Sequence, residues 1–190
     1  EGYDPVRDAI SRLYETGAPN ASWLMVLFTA YHALVIPFAY GLHRGLPPAR
    51  VGWVGPALLG MAGLLGIPLG AYARCDVGCW DATTFRGQLH GILVLITVPL
   101  TLSGMVAVWL RIRNHERWQG YARYTLITFI LAVIIGVVMI PFLQSKYEGL
   151  FERISVGILI QWYAVMGIRL VTIALHREPD TASPYGPDGR

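Results

Sequence analysis

Charge is what this chain has least of. Asp, Glu, Lys and Arg make up 14% of its 190 residues against 54% hydrophobic residues, and the mean hydropathy is +0.48. An ordinary soluble domain is about 25% charged, so aqueous folding of the whole chain is excluded and lipid is the solvent for most of it. Cysteine is limited to Cys75 and Cys79, which excludes a zinc site built from cysteines alone, since that needs four ligands. Neither C-x-x-C nor C-x-x-C-H occurs, so the usual redox-pair and c-type haem patterns are missing too. No internal repeat, second domain or complete catalytic set is visible, and no signal peptide is recognisable.

What the chain does have is long apolar runs. A membrane-spanning helix needs roughly 20 apolar residues, because about 30 Å of hydrocarbon is crossed at about 1.5 Å per residue. Five stretches qualify: 21–42, 51–73, 87–110, 124–145 and 154–175. Only the fifth holds a formal charge, Arg169. In lipid every backbone polar group must be bonded internally, and these runs lack the alternation of a barrel strand. The predicted fold is therefore all-α: a polytopic transmembrane helical bundle of five spans. A short amphipathic segment precedes it over 1–20, and a polar, Pro- and Gly-rich tail over 177–190 is expected to be disordered and cytoplasmic. Short connections make sequential helices antiparallel neighbours.

Cytoplasmic loops carry an excess of Lys and Arg. Nine of the 15 basic residues fall on the side that holds the loop "RIRNHERWQGYAR" and the C-terminus. That places the N-terminus and the cysteine loop outside the plasma (inner) membrane, on the oxidising side where a disulfide persists. An outside N-terminus with five spans predicts a further helix upstream of Glu1, with a removed signal segment as the alternative.

"DPVRDAISRLYETGAPN" has helix-start grammar, with Asp4 as N-cap, Pro5 at the first helical position and Asp8 in the first turn. Val6, Ile10, Leu13 and Tyr14 then share a face. The expected role is an interfacial amphipathic helix, and the sharper one a lid over an outward-facing cavity. "GYDPVRDAISRLYETGAPNASWLM", followed by an apolar span, "CDVGC" and "GQLHG", resembles the domain-of-unknown-function 998 family of integral membrane proteins. The resemblance implies about six spans, the first upstream of this segment, and a membrane location without a stated reaction. The family's paired cysteines and histidine map onto Cys75, Cys79 and His90, and its acidic and serine positions onto Asp8 and Ser11.

Cys75 and Cys79 read first as a disulfide closing a tight outer loop. A ring of about five residues contributes only about 2 kcal/mol by chain entropy, so its effect is local shape. A redox-active pair and a metal site drawing on Asp76, Asp81 and His90 are the alternatives. His90 is expected to hydrogen-bond to Gln88, Asp81 or a nearby carbonyl, with a proton-carrying or pH-sensing role as the other reading. His32 lies about 17 Å down the first span and His90 about 5 Å down the third, so a bis-histidine haem is excluded. Intramembrane polar groups are functional suspects: Gln161 is placed to bond across a helix pair, and Arg169 to snorkel into headgroups or to hold an anion. Ala62, Gly66 and Gly70 form a small-residue packing ridge. Prolines 37, 56, 68, 99 and 141 are expected to kink spans, and Trp23, Trp53, Trp109 and Trp118 to sit in the interfacial belt.

The absence of a catalytic set favours a non-catalytic accessory, assembly or sensing component. A small transporter or lipid-handling protein is the alternative, and a thiol oxidoreductase using Cys75 and Cys79 the second. No cofactor or metal is expected. The expected partners are the lipid bilayer and other membrane proteins, and not nucleic acid.

Overall fold

A computed structural model describes residues 2–176; Glu1 and the tail expected over 177–190 lie outside them. Five long helices form the body: α1 (Ala21–Gly45), α2 (Val54–Ala71), α3 (Phe85–Ile112), α4 (Gln119–Met139) and α5 (Glu148–Leu175). All five are long and apolar enough to cross a membrane, α4 together with the single 3-10 turns at its two ends. No strand occurs among the described residues, and the fold is an all-α bundle.

The N-terminal segment differs from its helix-start grammar. Asp4 Oδ1 accepts from Val6 N at 2.9 Å, closing a turn rather than capping a helix. Ala9 is then extended, and only Ile10–Tyr14 forms a 3-10 helix. The reason lies in α5. Its first-turn N–H groups have no intrahelical acceptor, and the segment supplies two: Gly149 N donates to Arg7 O (3.3 Å) and Leu150 N to Val6 O (2.9 Å). A continuous helix would have used those carbonyls internally. The same docking helps α5 begin at Glu148 rather than near 154, because Glu152 and Arg153 find partners in the segment, and Glu148 finds Trp80 in the cysteine loop, instead of water.

Helix α2 lies between α1 and α3, and its small residues set the spacing. A Cβ on Gly63 would stand 2.9 Å from His32 O, and one on Gly70 2.7 Å from Thr29 N, so backbone meets backbone on the α1 side. On the α3 side a Cβ on Gly55 would be 3.1 Å from Val108 N. Ala62 and Gly66 are buried in the same ridge, with Gly66 directly under the His32 ring. Arg111, at the far end of α3, fastens the α1–α2 loop by donating to the carbonyls of Pro47 (2.7 Å), Gly52 (2.6 Å), Leu46 (3.0 Å) and His43 (3.2 Å). Pro37, Pro68 and Pro99 lie inside helices, whereas Pro56 sits in the first turns of α2 and Pro141 in the 3-10 turn after α4. Trp23 and Trp53 are largely exposed, but Trp118 is buried in the core beneath Arg169.

Packing is uneven along the bundle. The main core, with Leu42, Leu59, Met105, Val108, Trp162 and Met166, fills the half away from the cysteines. Trp162 is fully buried and donates its indole N–H to Thr125 Oγ1 at 3.1 Å. The cysteine half has only a small cluster of Leu69, Ala73 and Leu93.

Gly70→Ala should lower the melting temperature of the detergent-purified protein, by the 1–3 kcal/mol or so typical of overpacking. Gly136→Ala, where an added Cβ meets nothing within 4 Å, should leave it unchanged. Equal melting of the two variants would contradict the close α1–α2 contact.

Candidate functional site

Where the core thins, a cavity of about 460 Å³ opens among α1, α2, α3 and α5, within the range of small-molecule sites. Its walls are mostly apolar, with Phe28, Val35, Val94, Val98, Leu159 and Ile160 among them. Helices α1 and α5 run in the same direction. They touch from Tyr31 and Tyr163 onward, where Phe38 meets Trp162 and Tyr163 edge-on and Gly41 lies under Leu170. Nearer the cysteine end, Leu27 and Ile160 line the cavity and are also exposed, so the gap between α1 and α5 faces the lipid.

The roof is the 3-10 segment: Ile10, Ser11 and Tyr14 line the cavity from above. Tyr14 is buried and packs its ring 4.8 Å from Phe28 on α1 and 6.2 Å from His90 on α3. On the other side Ile10 N donates to Glu152 Oε2 on α5. Arg153 clamps the strap from outside, donating to Pro5 O (2.6 Å) and Asp8 O (2.9 Å) and reaching the Tyr3 hydroxyl. Asp8, 3% exposed, accepts from Arg7 (2.8 Å), Arg12 (2.6 Å) and Asp4 N (2.8 Å). The Arg7 guanidinium, with Asp4 N–H and Arg12 adding to it, outweighs burial and holds this carboxyl down at about 2.

The loop between α2 and α3 is strapped to the same segment. Thr16 N donates to Cys75 O (3.1 Å), and Gly78 N to Glu15 Oε2 (2.8 Å). The Cys75 and Cys79 sulfurs are at bonding distance, with Cα atoms 4.9 Å apart, and both Gly78 and Cys79 have positive φ. The Glu15 carboxylate lies with the two sulfurs inside 4.8 Å. Metal ligation there would require reduction first, because the thiolate is the ligand.

Asp76 closes the loop on α3. It accepts from Thr83 N (2.9 Å), Thr84 N (2.8 Å) and the Thr84 hydroxyl (2.6 Å), and these bonds, the Thr84 hydroxyl first, hold its carboxyl below the usual range. Thr84 in turn caps α3 by accepting from Gly87 N at 3.1 Å. On the other side of the loop, Trp80 donates to Glu148 at 2.9 Å.

The polar residues singled out from the sequence thus separate into groups. His32 and His90 share the cavity despite their different depths, because it extends down the bundle to Thr101 and Tyr163. His90 Nδ1 is 2.9 Å from Ala73 O, a backbone carbonyl, and Nε2 has no hydrogen-bond partner among the described residues. Neither ring nitrogen of His32 has one, and its ring stands edge-on to Tyr31 at 5.0 Å. Asp76 belongs to the loop and Asp81 is exposed beside it. Gln161 is outside the cavity, on the α4–α5 face, accepting from the Tyr124 hydroxyl at 2.8 Å. Arg169 is at the opposite end, stacked over Trp118 and Tyr121 and donating to Arg117 O at 2.9 Å. There it borders a second, more polar cleft with Arg117, His115 and His176.

Glu152, Tyr31 and Tyr163 are polar cavity residues with no role assigned from the sequence, whereas Tyr14 stands on the face expected of the N-terminal segment. The available signal is Glu148 and Glu152, four apart and so on one face of a helix, but run length alone leaves both in the connection before 154.

Fold and site together define a multi-pass helical membrane protein with a roofed internal cavity open to the bilayer. The chain belongs to the family described as "Protein of unknown function (DUF998)", whose model matches residues 1–169. Comparison with curated proteins finds no match, and comparison with solved structures finds none. The residues that carry the resemblance, Asp8, Ser11, Cys75, Cys79 and His90, all fall in the roof, the loop strapped to it or the cavity wall beneath.

Stability should fall in acid with a specific origin. Asp8 is held below the ordinary carboxylate value of about 3.9, so its contribution is complete above about pH 4 and is lost as pH drops through about 2. Asp8→Asn should remove that part of the acid transition, seen as a flatter dependence of melting temperature on pH between about 5 and 2. An unchanged profile would show that the Asp8 cluster does not hold the strap.

Proposed function

We propose that this protein is a non-catalytic membrane component of the sensing or accessory kind, and that it binds an apolar molecule taken from the bilayer. The observation that carries the reading is the cavity itself: apolar walls, a few hydrogen-bonding side chains, a mouth between α1 and α5 facing lipid, and a roof anchored on three sides. The fully buried Met105, Trp162 and Met166 below it support a closed binding site over a route through the bundle. The cavity reaches neither Gln161 nor Arg169, which also weighs against transport through those residues. Lipid handling is the second reading, favoured by the lateral mouth alone. The thiol-oxidoreductase reading has less support, because Cys75 is 1% exposed and the neighbouring Glu15 carboxylate disfavours a thiolate.

The membrane is read as the plasma (inner) membrane, with the N-terminal segment and cysteine loop outside and the dense arginine loop in the cytoplasm. The support is the basic-residue excess and the paired cysteines on the side where disulfides persist.

Two measurements test this. A photoactivatable long-chain alcohol in proteoliposomes should label peptides of α1, α3 and α5 that face the cavity. Val98→Trp, which fills it from α3, should cut that labelling several-fold. Labelling confined to the lipid-facing surface, and unaffected by the tryptophan, would remove the cavity reading. For orientation, a membrane-impermeant maleimide applied to intact cells after reduction should modify Cys79; modification only after the membrane is opened would reverse the sidedness.

A further inference from the structure

We infer that the cavity selects an amphiphile with a cationic, hydrogen-bond-donating head, a primary ammonium on an apolar chain, read by Glu152 beneath the roof. This rests on the binding reading above and names the ligand class for that site.

Among the described residues, Glu152 is the only Asp, Glu, Lys or Arg that lines the cavity. Its Oε2 accepts the Ile10 N–H, and the Ser11 backbone N–H supplies a second hydrogen bond to the same carboxylate. The cation next to it in sequence is committed elsewhere: the Arg153 guanidinium donates to Pro5, Asp8 and Gly149 carbonyls and reaches the Tyr3 hydroxyl. The neighbouring acid, Glu148, is turned to Trp80 and Gln144 N.

A carboxylate held by backbone amides, with no Lys or Arg in the cavity lining, therefore stands at the polar end of a mostly apolar chamber. Removing a carboxylate from water without a full set of partners is costly, and a matching charge with hydrogen bonds offsets that cost. An ammonium supplies both. A carboxylate or phosphate head would meet like charge, with no Lys or Arg in the lining to offset it. The Tyr14 hydroxyl and the free nitrogen of His90 flank the same end and provide acceptors for the remaining ammonium protons. Below them the mostly apolar walls extend to Thr101 and Tyr163 and receive the chain. Because Glu152 also latches Ile10, the group that reads the head is the group that holds the roof.

Photoactivatable decylamine, decanol and decanoate, compared on the full chain in zwitterionic vesicles, test the assignment. Decylamine should reach half-maximal cavity labelling at a concentration about tenfold below decanol, a difference of about 1.4 kcal/mol, with decanoate the weakest. Glu152→Gln should bring decylamine to the level of decanol. Ser11→Lys, which adds a cation to the cavity and leaves the latch intact, should favour decanoate instead, and keeps the test open if Glu152→Gln does not fold. Competition by phosphatidylethanolamine added to the vesicles would assign the site to a lipid ammonium, and lack of competition to a free amine. Equal cavity labelling by decylamine and decanol would overturn the selectivity while leaving the binding reading in place. Absence of cavity labelling by all three would overturn both.

Discussion

Hydrocarbon supplies no hydrogen bonds, and the ends of this bundle are organised around that constraint. The first turn of α5 is satisfied by carbonyls of the N-terminal segment, Val6 O and Arg7 O. The loop after α1 is held by one guanidinium, Arg111, and the start of α3 by Thr84 with Asp76 behind it. The α5 contact has the widest consequences. Docking the segment there fixes where Ile10 and Tyr14 lie, and those residues reach α1 and α3 as well. A backbone requirement at one helix terminus thereby becomes the roof of a cavity.

The cavity exists because packing is not uniform. Helix α2 approaches α1 so closely that an added Cβ on Gly63 or Gly70 would meet backbone atoms. Large side chains such as Trp162, Met105 and Met166 fill the half away from the cysteines. In the other half α1 and α5 have no comparable contact, and the space between them is lined rather than filled. Since apolar association has little hydrophobic driving force in lipid, such a space is stable only if its surroundings are braced, and the strap and its ion pairs do that. The disulfide-bearing loop is one of those braces, which gives Cys75 and Cys79 a structural place near the cavity.

Much of this was legible from the residues. The five spans follow from run length and the near-absence of charge, and the α2 ridge from four-residue spacing of small side chains. The resemblance to the family rests on a segment and a loop that turn out to touch each other. Three things were not legible. Asp4, Pro5 and Asp8 read as a helix start, because local grammar does not register that α5 competes for the same carbonyls. Glu148, Glu152 and Arg153 read as loop, because charge near a span boundary is indistinguishable from a solvated connection until its partners are known. His32 and His90 read as lying at depths too different to share a haem, but depth along separate helices does not register that both line one cavity.

The sequence by itself determined the solvent, the number of membrane-crossing helices in the described chain and their antiparallel order, since each depends on composition and run length within one segment. Only the tertiary structure decided that a strap closes the cysteine end, that a cavity lies beneath it and that Glu152 faces into it. Those depend on groups up to about 150 residues apart, as Arg153 and Tyr3 are. Their pairing is dictated by which polar atoms remain unsatisfied once the helices have packed.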